Sequence, residues 1–240
     1  MDSIVIPPRF NGPPDSANGG YICGLVANAL GGGPAEVMLK APPPLDREMA
    51  VERVAGHVRV LDGETVVAEA QPAEVDVDPP APVALEEAAA AAEHGPFLDP
   101  SHPYPSCFVC GPTREEGDGL RIFAGPVDRS GVYAAAWTPP PDLADADGRL
   151  PEEVVWAALD CPTSGPVAND GSQPGFMPIV LGRLAARIDR PVMADEPHVI
   201  LAWELGIDGR KRNSAAALFS ADDGELRAVS RALWIELRRA

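Results

Sequence analysis

Three small groups of residues in this sequence could do chemistry. Asn18-Gly19-Gly20-Tyr21 opens a segment of helical spacing. The first N–H groups of a helix have no intrahelical partner, and glycine lets another group come close to them. Such a start can hold an oxygen that gathers negative charge, or it can simply be capped by the Asn18 side chain. Asp160 ends the apolar stripe of a second helical segment, where a carboxylate serves either as a proton acceptor or as a cap before Pro162. Cys107 and Cys110 have the spacing of half a zinc site or of a redox pair, with His94 and His102 upstream. A second cysteine pair is missing and no βαβ pattern follows. The four cysteines, Cys23, Cys107, Cys110 and Cys161, therefore read as free thiols, and neither a metal nor another cofactor is expected.

The elements that must hold these groups come in two series. In the first, residues 19–30 put Tyr21, Gly24, Leu25 and Asn28 on one helix face, and Gly31-Gly32-Gly33-Pro34 stops the helix. Residues 35–41 and 49–55 read as strands separated by Pro42-Pro43-Pro44, and residues 57–70 read as a hairpin about Asp62-Gly63. In the second series, strands are expected at 120–123 and 131–138. A helix follows over 151–161, with Pro151 in its first turn, Glu152 and Glu153 favourable to the dipole, and Val154, Val155, Ala158 and Leu159 as its stripe. Pro162 should limit that helix. Past a Gly- and Pro-containing insertion at 165–178, strands are expected at 179–188, 198–205, 214–220 and 225–237, with Asp223-Gly224 as a hairpin turn. The order helix, strands, Asp-Gly hairpin thus occurs twice, which points to duplication. The division expected is an N-terminal half over 1–78, a Pro- and Ala-rich connection over 79–117, and a C-terminal half over 118–240.

At 240 residues the length fits one large core or two domains, and 45% hydrophobic residues are enough to bury either. No run of about 18 apolar residues exists, so no membrane span is expected. The N-terminus lacks the basic-then-apolar pattern of a secretory signal, so a cytoplasmic location is expected. A net charge of -17 argues against nucleic acid as a partner, since Arg210-Lys211-Arg212 is the one short basic run. A polyanionic ligand would need local cations. Arg183, Arg187 and Arg210 to Arg212 are available, but charges that alternate along strands read as a solvated face. Trp137, Trp156, Trp203 and Trp234 read as core filler.

The segment FNGPPDSANGGYICGL, followed by AEVMLKAPPPLDREMAVERVAGHVRVLDGETVVAEA, resembles the first half of double-hotdog acyl-CoA thioesterases. VVWAALDCPTSG resembles the helix of the wider small-thioesterase superfamily. The resemblance implies an α+β tandem (double) hotdog, each half a long helix wrapped by a curved antiparallel sheet. It further implies acyl-CoA or a related thioester as substrate at the seam between halves, where Trp156 could line an acyl channel. Exposed sheet edges make a homo-oligomer the expected assembly.

In the related thioesterases a His-Gly-Gly triplet opens the helix, and an acid lies about two turns into the partner helix. Here Asn18 replaces the His, and Leu150-Pro151-Glu152 stands where the second triplet would be. Asp160 supplies the acid, while the matching first-half position falls near Ala27 or Asn28. Pro151 has no N–H, and Glu152 and Glu153 put negative charge where an oxyanion would form. One of two pseudo-equivalent sites remains, with Asp160 and Asn18 as its catalytic pair and Gly19, Gly20 and Tyr21 as oxyanion or substrate donors. Asp160 would act as general base or as nucleophile. The change from His to Asn, and the lack of a Gln-Glu-Gly-type strand near the C-terminus, favour the alternative of a non-catalytic acyl-CoA-binding protein. A dehydratase or hydratase would need a His near an acid, and His57, His94, His102 and His198 lie outside both helices.

Overall fold

A computed structural model of the chain describes residues 2–128, 131–168 and 176–237. In chain order the elements are β1 (Ser3–Ile4), α1 (Gly19–Leu30), β2 (Ala35–Leu39), β3 (Met49–Val54), β4 (His57–Asp62) and β5 (Thr65–Pro72). Then come α2 (Leu85–Ala92), β6 (Gly125–Pro126), β7 (Val132–Trp137), α3 (Glu152–Ala168), β8 (Ile179–Ile188), β9 (His198–Asp208), β10 (Lys211–Ser220) and β11 (Leu226–Glu236). The strands form one 11-stranded sheet in the order β1-β3-β4-β5-β2-β8-β11-β10-β9-β7-β6. Every pairing is antiparallel. The two series meet edge to edge at β2 and β8, in the register Ala35↔Ala186 to Met38↔Arg183. An ion pair of 3.5 Å between Arg183 and Glu36 crosses that joint. The hairpins turn at Asp62-Gly63 and Asp223-Gly224 as expected, with Gly63 at φ 59° and Gly224 at φ 68°, values that favour glycine.

Helices α1 and α3 lie antiparallel on one face of the sheet: Gly20 faces Ala157 and Asp160, and Gly24 faces Glu153. The other face of the second series is covered by α2 and the segment leading into it. Alternation along the strands divides the side chains between the two cores. Ile200, Ala202, Ala216 and Leu218 join the large core around α1 and α3. Val199, Leu201, Ala217 and Phe219 join a smaller one with Val75, Val83, Ala88 and Ala91. A strand covered on both faces reads as a continuous apolar run, which is why 214–220 shows no polar alternation.

Three expectations are corrected here. Residues 120–123 form no strand; Arg121 sits at φ 52°, and the short β6 lies further along. Pro162 does not end α3, which continues through Pro162 and Pro166 to Ala168. Side chains take carbonyls around the prolines: Thr163 Oγ1 donates to Asp160 O, Ser164 Oγ to Cys161 O at 2.7 Å, and Ser230 Oγ to Leu159 O at 3.3 Å. Burial of the whole segment holds the rest. The expected insertion at 165–178 therefore begins later, and 169–175 lies outside the described residues. Arg212, expected on a solvated face, is 4% exposed; it donates to Val167 O at 3.2 Å near the end of α3 and pairs with Glu236 at 2.9 Å. A cation there complements the C-terminal pole of the helix.

The α3 turn after the first proline is tied to β11 by Trp234 Nε1, which donates to Thr163 Oγ1 at 2.8 Å in a buried setting. Thr163→Val preserves the shape and leaves the indole N–H without its acceptor. The expected loss is roughly 1–3 kcal/mol of unfolding free energy, read by urea denaturation.

Candidate functional site

The start of α1 is fixed by its own cap. Asn18 is extended (φ -60°, ψ 134°), and its Oδ1 accepts the Tyr21 N–H at 2.9 Å. Tyr21 stacks on Phe10 at 4.1 Å between ring centroids, which anchors the helix entry to the preceding loop. Against this start lies Asp160 of α3. Its Oδ2 accepts the Gly20 N–H at 2.8 Å and the Asn18 Nδ2–H at 3.3 Å. That approach depends on glycine: a Cβ at Gly20 would lie 2.5 Å from Asp160 Cβ and 2.6 Å from Trp156 O. Helix dipole and hydrogen bonds both favour the ionised carboxylate, yet burial outweighs them. Asp160 is 1% exposed, and desolvation pushes its carboxyl up to about 7. Its Oδ1 has no hydrogen-bond partner among the described residues.

A cavity of about 610 Å³ opens beside this pair, walled by Asn18, Gly19, Asp160, Phe97, Leu181 and Trp234 among others. The structure brings Asn18, Gly19, Gly20 and Asp160 together, but it divides the backbone donors differently from the expectation. The Tyr21 N–H is taken by the Asn18 cap and the Gly20 N–H by Asp160, and neither residue reaches the cavity wall. Gly19 does line it, and its N–H has no acceptor among the described residues. Trp156, read as core filler that could also line an acyl channel, is sealed at 1% exposure behind α1, and Trp234 lies on the cavity wall. The pseudo-equivalent location at the other ends of the helices holds an interhelical bond from Asn28 Nδ2 to Glu153 Oε2 at 2.9 Å, with the acid on the helix start and the amide opposite.

Sequence reasoning noted Cys107, Cys110 and His102 but did not bring them to this cavity. His102, Cys107 and Cys110 come from the stretch read as a connection, which is no surface linker: Phe97, Phe108 and Val109 within it are fully buried. Cys161, next to Asp160 on α3, joins them. Cys107 Sγ lies 3.7 Å from Cys161 Sγ, and Asn18 Nδ2 lies 3.8 Å and 3.6 Å from the same two sulfurs. His102 Nε2 approaches Cys110 Sγ at 3.5 Å, while His102 Nδ1 accepts the Tyr104 N–H at 3.1 Å. Hydrogen bonds from the Cys110 and Cys161 thiols hold Cys107 well below the ordinary thiol range, and burial pushes Cys110 up. The signals available were Cys161 one residue after the candidate acid and the glycine directly after Cys110. His94, grouped with His102 in the sequence, is exposed and takes no part.

No protein-family model and no curated relative matches the chain. Solved structures do. A conserved protein of unknown function with hot dog fold from Alicyclobacillus acidocaldarius superposes with a TM-score of 0.58 at 13% identity, over 99% of this chain and 93% of that one. The chain has a hot dog fold. Two further hot dog matches are the acyl-CoA thioesterase II TesB2 from Mycobacterium marinum and the tesB protein from Mycobacterium avium subspecies paratuberculosis. The first has a TM-score of 0.59 at 13% identity and covers 94% and 91% of the two chains. The second has 0.58 at 12%, with 98% and 92% covered.

Proposed function

We propose that the chain is a tandem hot dog protein, its halves joined through β2 and β8, that hydrolyses acyl-CoA-type thioesters at one composite site between α1 and α3. The observation that carries this reading is the Asp160 carboxylate. It is buried on the cavity wall with one oxygen bound to the start of α1 and the other unpartnered. A water held by Oδ1 would attack the thioester carbonyl carbon and pass its proton to Asp160. The C–S bond then breaks, and the proton goes to the departing thiolate, giving a carboxylic acid and a free thiol. The Gly19 N–H would hold the carbonyl oxygen as it gains charge, while the Asn18 amide, which donates to the Asp160 carboxylate, would keep that carboxylate in position. Phe97, Phe176, Leu181 and Trp234 supply an apolar wall for the acyl chain, and Lys40, on the same wall and paired with Glu69 at 3.2 Å, would have to turn from that partner to meet the phosphates of coenzyme A. The resemblance to thioesterases and the shared fold of the mycobacterial proteins support the same substrate class.

A panel of acyl-CoAs of graded chain length, assayed by thiol release, tests the reading. Turnover of at least one member is expected. No turnover on any chain length, with wild type and Asp160→Asn indistinguishable, would sink it. A second reading, thioester binding without hydrolysis, is favoured by the satisfied N–H groups of Gly20 and Tyr21, which leave α1 a single backbone donor on the cavity. Saturable binding with no thiol released would select it.

A further inference from the structure

We propose that Cys107, Cys110 and Cys161 bind one zinc ion through three thiolates on the cavity wall, leaving a fourth position open to the cavity. The three sulfurs lie within 4.8 Å of one another. A tetrahedral zinc with Zn–S bonds of about 2.3 Å requires sulfurs about 3.8 Å apart. Cys107 and Cys161 already stand at 3.7 Å, close to that edge and far beyond a disulfide bond of about 2.05 Å. The missing second cysteine pair, which spoke against a metal in the sequence, is replaced by one cysteine delivered on a different element.

The loop that carries the first two cysteines is folded as a chelating turn. Gly111 N–H donates to Cys107 O at 2.9 Å, so the chain doubles back directly after Cys110. A Cβ at Gly111 would collide with Cys107 O and lie 2.6 Å from Cys107 N, so this turn needs glycine. Two polar neighbours of the cluster present N–H groups to sulfur. Asn18 Nδ2 faces Cys107 and Cys161. His102 accepts the Tyr104 N–H at Nδ1, so its proton sits on Nε2 and points at Cys110. That tautomer makes His102 a donor to a thiolate and removes it from the ligand set. Three thiolates around a divalent cation carry one net negative charge, and these donors are arranged to meet it. All three cysteines line the cavity, so water or a small ligand can complete the coordination from there. The ion would also pin the 79–117 stretch onto α3, in the same way that structural zinc sites add to folding energy.

Metal analysis of the whole protein, purified with a phosphine reductant and no chelator, tests this without any thioester. Failure here leaves hydrolysis by Asp160 standing, and failure of hydrolysis leaves the ion. About one zinc per chain is expected by plasma mass spectrometry, in keeping with a single three-thiolate site. Cobalt exchanged into the site should give thiolate-to-cobalt charge-transfer absorption of three-sulfur intensity. Cys161→Ser should lose the metal, while Cys23→Ser, which changes a buried cysteine outside the cluster, should keep it. His102→Ala should keep it as well; metal loss there would overturn the three-thiolate assignment. Reduced wild-type protein that contains no zinc and takes up neither zinc nor cobalt would overturn the proposal, whatever the variants do.

Discussion

Asp160→Asn is expected to lower acyl-CoA turnover by roughly 10²- to 10⁴-fold, the usual worth of a positioned general base, while the protein stays folded. The substitution is informative because it changes little else. Asparagine has the shape of aspartate, and its Oδ1 can take over the Gly20 N–H bond that Oδ2 accepts at 2.8 Å. What disappears is the lone pair at the unpartnered oxygen, replaced by an N–H that cannot accept a proton from water. A buried amide also avoids the desolvation cost that lifts the carboxyl of Asp160 to about 7, so a fall in stability is not the expected source of any lost activity. Steady-state kinetics on the best acyl-CoA, with a thermal melt of the same sample, separate the two effects. An unchanged kcat with an unchanged melt would remove Asp160 from the chemistry.

Much of the fold was legible because it rests on local rules. The α1 start at Asn18, the stop at Gly31 and the two Asp-Gly hairpins follow from capping and from positive φ, which are properties of short stretches. The misreadings share one cause. Pro162 ends a helix in isolation, but α3 is buried all around it and that packing keeps the chain helical, which nothing local announces. Arg212 looks like one of a run of surface cations, and the end of α3, far off in sequence, gives it a buried partner.

The site divides in the same way. Asn18, Gly19, Gly20 and Asp160 could be singled out because their helices have a readable start and stripe and the resemblance to thioesterases pairs the two. The cysteine cluster could not, since Cys107 and Cys161 become neighbours only when the 79–117 stretch tucks under the end of α3. Assigning oxyanion donors from the order of residues alone also counted Gly20 and Tyr21 as available. Helix geometry makes such N–H groups unpaired within the helix, but it does not say whether another side chain has already taken them.

Gly24→Ala sets a local rule against a packing rule, and the expected result has the opposite sign to the local one. Alanine is the better helix former by about 1 kcal/mol, so in an exposed helix the change would stabilise. In α1, however, Gly24 faces α3 so closely that a Cβ would run into Glu153 Cα and lie 2.8 Å from Glu153 Cβ and 3.1 Å from Trp156 Cβ. The Cα is backbone and cannot swing aside, so the helices must separate. Overpacking of this kind costs typically 1–3 kcal/mol, and here the net loss is expected to be about 2 kcal/mol in urea unfolding. The displacement reaches the site, because the Gly20–Asp160 bond lies one turn away on the same pair of helices and is formed by the same close approach. Activity should therefore drop together with stability, although Gly24 touches neither cavity nor substrate. A Gly24→Ala protein that is more stable than wild type would show that α1 and α3 are not held at this distance, and would remove the basis for placing Asp160 against the start of α1.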